Sequence, residues 1–218
     1  MMKTDYLKLC LVTDFTATSF TEYQDFIQQV ARSGITSVQL RAKKSNPVAL
    51  LHYAQTLKNI LTPLNVPLII NDHVDVALAV DAEGVHLGQG DISPAVARHL
   101  LGPNKIIGWS VETLEQVQQA NELTAIDYLG ASAVFTSTTK LDCKTIWGLE
   151  GLKKLTAQSK HPVVGIGGID LSNVADVIAN GACGVAVISA IHQHPNPASI
   201  TAKLLDKINQ TLTRQEYV

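Results

Sequence analysis

The chain has 218 residues, of which 46% are hydrophobic and 17% charged, with a net charge of −2. Such a content can bury a full core, which excludes a disordered chain, and it offers no basic field for nucleic acid: the only guanidinium groups are those of Arg32, Arg41, Arg98 and Arg214. Cys10, Cys143 and Cys183 are odd in number, far apart and outside any Cys-x-x-Cys or Cys/His cluster. They suggest buried thiols, neither a disulfide framework nor a zinc site. Lys3, Asp5, Lys8 and Asp14 interrupt the N-terminal apolar residues, leaving no room for a secretory leader. No apolar run approaches the ~18 residues of a membrane span, and a cytoplasmic location is the simplest expectation.

Leu7 to Val12 is a short apolar run, followed by helical spacing from about Thr21 to Ser33, where Phe26, Ile27, Val30 and Ala31 share a face and Gly34 ends the helix. Thr36 to Leu40 reads as a strand. Asn46-Pro47 then opens a helix to Leu61, with asparagine as N-cap and proline in the first turn. Pro67 to Ile70 is the third strand, Val74 to Val80 a brief helix, and Gly84 to Leu87 the fourth strand. Ser93-Pro94 starts a helix ending near Leu101-Gly102. Lys105 to Trp109, a helix from Leu114 to Leu123, and the strand Asp127 to Ala131 follow. After an irregular stretch from Ser132 to Gly148 come a helix at Leu149 to Gln158, a strand at Pro162 to Ile166 and a helix at Ser172 to Asn180. The strand Gly184 to Ile188 and an amphipathic helix from Ala198 to Leu212 close the chain.

Short apolar strands alternating with helices predict an α/β fold with a parallel sheet, and eight such strands are the number that closes into a barrel. The strands run almost continuously apolar, as both-face burial requires, and no linker or change of composition divides the chain. A single (β/α)8 TIM barrel over residues 1–218 is therefore expected, with a doubly wound open sheet as the alternative.

In such a barrel the chemistry sits where strands end. Here strand two ends at Gln39-Leu40-Arg41-Ala42-Lys43, strand three at Asn71-Asp72, and strand four runs into Gln89 and Asp91. Strand five ends at Ser110, the sixth loop holds Ser137-Thr138-Thr139-Lys140, strand seven ends at Gly167-Gly168 and strand eight at Ile188-Ser189. Polar or glycine groups thus converge on one mouth. Arg41, Lys43 and Lys140 bring positive charge, while Asp72 and Asp91 are a candidate pair of Mg2+ ligands, since magnesium takes one or two carboxylates together with phosphate oxygens and water. A pyrophosphate arriving with magnesium fits that combination. The glycines after strand seven, with Ser189, suggest a second phosphate. Simpler readings stand beside these: Asp72 as a helix cap, Asp91 as a turn residue, Lys43 and Lys44 as solvated charge, and Gly167-Gly168 as a tight turn without ligand. His86, inside an apolar strand, reads as a hydrogen-bonded wall residue before a metal ligand. Asp170 occupies the position that would complete a dinucleotide Gly-x-Gly-x-x-Gly, and the chain has neither a Gly-Lys dipeptide for a P-loop nor a Gly-x-Ser-x-Gly elbow.

With these residues assembled, the chain resembles the barrel family of thiamine phosphate synthases and thiazole tautomerases over about Leu9 to Leu205. The motifs are Gln39-Leu40-Arg41-Ala42-Lys43, Asn71-Asp72-His73-Val74-Asp75, Gly84-Val85-His86-Leu87-Gly88-Gln89-Gly90-Asp91, Gly108-Trp109-Ser110, Phe135 to Lys140, and Gly167-Gly168-Ile169. The resemblance implies a Mg2+-dependent transferase that joins hydroxymethylpyrimidine pyrophosphate to hydroxyethylthiazole phosphate, releasing pyrophosphate. It implies Asp72 and Asp91 as metal ligands and Gln39, Arg41, Lys43, Asn71, Ser110 and Lys140 as contacts to the pyrimidine substrate, with Leu40 and Ala42 in the same binding segment. It also implies Ser137, Thr138, Thr139, Gly168, Ile188 and Ser189 as the thiazole phosphate site, and a catalytic set of Arg41, Lys43, Ser110 and Lys140. The small-molecule substrates are the implied partners, and the oligomeric state stays open, a homo-oligomer included.

The sixth loop departs from the usual family pattern, Ser132 and Ala133 standing where a glycine and proline are frequent and Ser137 where a threonine is. Among rival readings, a thiazole tautomerase would by resemblance carry a histidine where Glu112 stands. A non-catalytic thiazole-phosphate-binding barrel would have no need of Asp72, Asp91 and Lys140 together. A Schiff-base aldolase on Lys43 or Lys140 would require a carbonyl substrate.

Overall fold

Leu9, Cys10, Leu11 and Val12 form β1 (Leu9–Val12), a strand buried on both faces. Most positions of the other strands are buried likewise in a computed structural model that describes residues 4–15, 19–43, 45–137 and 145–216. The others are β2 (Ser37–Leu40), β3 (Leu68–Asn71), β4 (Gly84–Leu87), β5 (Ile106–Val111), β6 (Tyr128–Ser132), β7 (Val163–Ile166) and β8 (Gly184–Val187). Each pairs in parallel with the next, and β8 returns to β1 with Cys10 opposite Ala186, so the sheet closes as an eight-stranded barrel. The open-sheet alternative is thereby excluded. Closure leaves no edge strand, and successive residues face either the interior or the helices. Cys10 and Val12 gather inside with Tyr128, Val164 and Ala186. Leu9 and Leu11 instead join the larger core between barrel and helices.

The helices are α1 (Phe20–Arg32), α2 (Pro47–Leu61), α3 (Val74–Ala79), α4 (Pro94–Leu101), α5 (Leu114–Asn121), α6 (Gly148–Gln158), α7 (Val174–Ala179), α8 (Ser189–His192) and α9 (Pro197–Glu216). Side-chain caps set several of their starts, because the first turn of a helix leaves N–H groups without intrahelical acceptors. Ser19 and Glu22 make a reciprocal capping box on α1, Asn46 Oδ1 accepts the Ala49 N–H at 2.9 Å ahead of Pro47, and Ser93 and Thr113 cap α4 and α5. No helix among the described residues is long and apolar enough to cross a membrane.

The expected boundaries move in several places, and α9 runs four residues beyond the expected Leu212. Asp5–Leu7 turns into a 3-10 helix, so β1 begins at Leu9. β5 runs on to Val111, α5 stops at Asn121, and α8, a single turn after β8, appears where no helix was expected.

At the pole where the strands begin, two acidic residues fasten strand starts to the helical layer. Glu83 Oε2 accepts the Leu68 N–H at 2.8 Å while its other oxygen pairs with Lys58. Asp127 Oδ2 accepts the Ile107 N–H at 2.8 Å and a bond from Arg98 Nη2 at 2.7 Å. Arg98 also donates to the carbonyls of Gly102, Lys105 and Ala125, tying α4 to β5 and β6. The opposite pole is thus left to polar groups with other roles.

Candidate active site

The strand ends open into a cavity of about 340 Å³ that reaches down into the barrel. Strand alternation decides which side chains face it. Gln39 and Arg41 line the cavity, whereas Leu40 between them is fully buried in the barrel–helix core and Ala42 packs against that core. Thr13, at the end of β1, holds this segment in place: its N–H donates to the Gln39 carbonyl at 2.9 Å, and its hydroxyl accepts the Arg41 N–H at 2.9 Å. Lys43, Asn71, Asp72, Asp91 and Ser110 line the same cavity, so residues from four strand ends meet there.

Asp72 sits in the left-handed region with φ of 66°, its N–H donated to the His86 carbonyl at 2.9 Å. The residue at the cap position of α3 is His73, and it makes no side-chain cap bond, so the helix-cap reading of Asp72 does not hold. Asp91 does play the turn role, with Oδ2 accepting the Gly88 N–H at 2.7 Å, and in doing so it meets Asp72. Burial, and then the Asp91 carboxylate beside it, push the Asp72 carboxyl up to about 6; Lys43 and His73 act in the opposite sense. A carboxyl raised by burial and by a like charge beside it is eased when a cation joins the pair. Among the described residues no group of three or more His, Cys, Asp or Glu side chains gathers for a metal. A two-carboxylate site completed by phosphate oxygens and water is nevertheless what magnesium prefers, and this pair fits it.

A second recess, of about 20 Å³, adjoins the first and is lined by Ser137, Gly167, Gly168, Ile188 and Ser189, with Ile166, Ala186 and Ile188 shared between them. Gly167 and Gly168 have φ of 102° and 63°. A Cβ on Gly168 would lie 2.6 Å from the Thr136 carbonyl, and one on Gly167 would lie 2.5 Å from Ala133 Cβ, so the packing of the sixth loop alone requires both glycines. Ser189 opens α8, whose His192 is bonded through Nδ1 to the Ile188 carbonyl and through Nε2 to Tyr23 Oη, at 2.8 and 2.7 Å. Thr138, Thr139, Lys140 and Lys44 lie outside the described residues.

The cavity also holds residues that the sequence reading passed over or gave a minor part. Glu112 and Tyr128 line it, and His86 bridges Tyr128 Oη and Ser110 Oγ. The available signal was Gly108 in mid-strand, since a glycine there marks a close approach between neighbours.

Residues 9–191 match the family model described as thiamine monophosphate synthase. The chain is 46% identical over 211 residues to a thiamine-phosphate synthase of Chlamydia abortus, covering 97% of this chain and 99% of the relative. It is 44% identical over 198 residues to the thiamine-phosphate synthase of Vibrio campbellii, covering 91% and 96%. Among solved structures, thiamine phosphate pyrophosphorylase from Pyrococcus furiosus superposes with a TM-score of 0.86 at 35% identity, over 95% of this chain and 98% of that one. The chain belongs to the thiamine monophosphate synthase family.

Proposed function

We propose that the protein is a transferase of thiamine biosynthesis, condensing hydroxymethylpyrimidine pyrophosphate with hydroxyethylthiazole phosphate to give thiamine phosphate and pyrophosphate. The observation that carries this reading is the Asp72–Asp91 carboxylate pair in the same cavity as Arg41 and Lys43, beside a smaller recess that ends in Ser189. The near-full-length relatives carry that activity in their names.

The pyrimidine methylene–oxygen bond breaks, pyrophosphate departs with the electron pair, and the thiazole ring nitrogen supplies the pair for the new carbon–nitrogen bond. No proton need move. Arg41 and Lys43 hold the departing phosphate oxygens, the guanidinium offering a planar fork and the ammonium a point charge, with Lys140 assigned the same task. When bound at Asp72 and Asp91, Mg2+ adds positive charge where the leaving group becomes more negative. Gln39, Asn71 and Ser110 orient the pyrimidine ring. Apolar walls from Val12, Ile69, Val164 and Ile166 exclude water from an electron-poor methylene that water would otherwise capture. Ser137, Thr138, Thr139, Gly168, Ile188 and Ser189 take the thiazole phosphate. We read the enzyme as cytoplasmic, acting on small molecules alone.

The test is to incubate purified protein with both substrates, with and without magnesium, and to follow thiamine phosphate after oxidation to fluorescent thiochrome. Magnesium-dependent product is expected. Folded protein that binds thiazole phosphate yet forms no product would instead favour a tautomerase or a binding barrel.

A further inference from the structure

In the wall of the cavity, a chain of hydrogen bonds joins Ser110 to His86 and Tyr128, which have no part in the roles assigned above. β4, β5 and β6 carry His86, Gly108 and Tyr128 at one level, because the parallel register sets His86 opposite Gly108 and Gly108 opposite Tyr128. The glycine in the middle lets its neighbours meet: a Cβ on it would lie 2.2 Å from Tyr128 Cζ and 2.5 Å from His86 Nδ1. Through that gap Tyr128 Oη and His86 Nδ1 stand 2.9 Å apart. On the far side of the ring, His86 Nε2 lies 2.8 Å from Ser110 Oγ. Gly130, level with Ser110 on β6, makes room for the imidazole in the same way, its Cβ falling 3.0 Å from Cε1.

The protons can be placed along this chain. Tyr128 is deeply buried, and burial raises its phenol well above the ordinary value, so the phenol keeps its proton. Among the described residues its hydroxyl finds His86 Nδ1 as hydrogen-bond partner, so that nitrogen is the acceptor within its reach. With Nδ1 accepting, a neutral ring would carry its proton on Nε2 and donate it to Ser110 Oγ. The Ser110 hydroxyl would then accept one bond and be free to turn its own proton to the cavity it lines.

We infer that Tyr128 and His86 are positioning residues that fix the Ser110 hydroxyl as a hydrogen-bond donor toward the ligand. This point of the wall then selects an acceptor, such as the lone pair of a heteroaromatic ring nitrogen, over an amino group. The inference rests on the proposed function only for the identity of that ring, a pyrimidine carrying both ring nitrogens and an amino substituent, whose orientation the donor would set.

The first experiment needs no substrate. In nitrogen-15-labelled wild-type protein, long-range proton–nitrogen correlation reads the tautomer of His86, assigned by the signal lost in His86→Gln. A protonated Nε2 beside an unprotonated Nδ1 is expected, and the opposite tautomer or an imidazolium overturns the relay. The second is a kinetic split. Tyr128→Phe is expected to raise KM for hydroxymethylpyrimidine pyrophosphate by about five- to tenfold, the effect of one hydrogen bond, while KM for thiazole phosphate stays within about twofold. His86→Gln, whose amide nitrogen reaches toward the position of Nε2, should retain pyrimidine binding that His86→Leu loses. An equal rise in both KM values, or none, overturns the assignment. If Tyr128→Phe or His86→Leu fails to fold, the wild-type tautomer still decides. If wild-type protein forms no thiamine phosphate, the functional reading fails while the relay is judged separately.

Discussion

At the scale of single residues, a site can be built from groups that would repel one another in isolation. Asp72 and Asp91 meet at the cavity rim, and burial first, then the neighbouring Asp91 carboxylate, raise the Asp72 carboxyl. If the pair serves to hold magnesium, Asp72→Asn should keep the fold, because asparagine tolerates the left-handed backbone found there, yet lower turnover at fixed magnesium by on the order of 10²-fold. Unchanged steady-state kinetics would remove the metal assignment. His192 gives a separate residue-scale prediction. Burial, acting against its bond to the Ile188 carbonyl and the nearby Asp14 carboxylate, holds its imidazole below the ordinary value. Tyr23 and Phe26 of α1 cover it with their rings. Tyr23 Oη accepts the Asp14 N–H at 3.1 Å and so donates to Nε2, leaving Nδ1–H for Ile188. The unfolded chain takes up a proton at His192 below about 6.5, and the folded protein resists until a lower pH, so this group's contribution to stability is lost as pH falls through that window. The midpoint of urea unfolding should therefore drop less between about pH 8 and pH 5.5 in His192→Gln than in wild type. The carboxylates, the cationic strand end and the serine were legible in the sequence because each is a polar residue where an apolar run stops. Tyr128 was not, since its place in the wall depends on the register of three strands, which no single segment encodes.

At the scale of elements, the eight strands could be read from apolar runs because both faces of a parallel barrel strand are buried, and the helices from caps such as Asn46 and Ser93. α8 could not, because a single turn is too short to display a helical period. That turn carries Ser189 into the smaller recess, so Ser189→Ala should raise KM for thiazole phosphate several-fold more than KM for the pyrimidine substrate, as steady-state titration of each would record. The reverse ranking would move the second phosphate site elsewhere. The clamp on α4 was equally hidden, since nothing local distinguishes Arg98 from a surface arginine. Its fork serves three carbonyls and Asp127, and truncation leaves partly buried acceptors without a donor. Arg98→Ala is expected to cost roughly 2–4 kcal/mol in urea unfolding, and Arg98→Lys to recover less than half of it, because an ammonium cannot reproduce the fork. A loss under about 0.5 kcal/mol would show that the clamp is ornamental.

At the scale of the whole molecule, barrel closure makes residues far apart in sequence line one cavity: Arg41 after β2, Asp72 after β3, Asp91 after β4 and Ser110 on β5 meet only because neighbouring strands end at one pole. A ligand gripped by several strand ends stabilises the folded barrel relative to the unfolded chain by mass action, about 2.7 kcal/mol at a hundredfold excess over Kd. For a chain of this size that corresponds to a rise in Tm of roughly 5–10 °C. If the carboxylate pair and the cationic groups bind one magnesium–pyrophosphate unit, the full rise should require both components. Magnesium alone meets two carboxylates without the phosphate oxygens that complete its shell, and pyrophosphate alone meets Arg41 and Lys43 with the two acids repelling it. Differential scanning fluorimetry with magnesium, with pyrophosphate plus chelator, and with both should then show a combined shift larger than the sum of the separate ones, and Asp72→Asn should abolish the excess. Additive shifts would mean that the cation and the phosphates occupy unconnected sites, and the shared geometry of the mouth would then have to be explained by something other than a magnesium-bound leaving group.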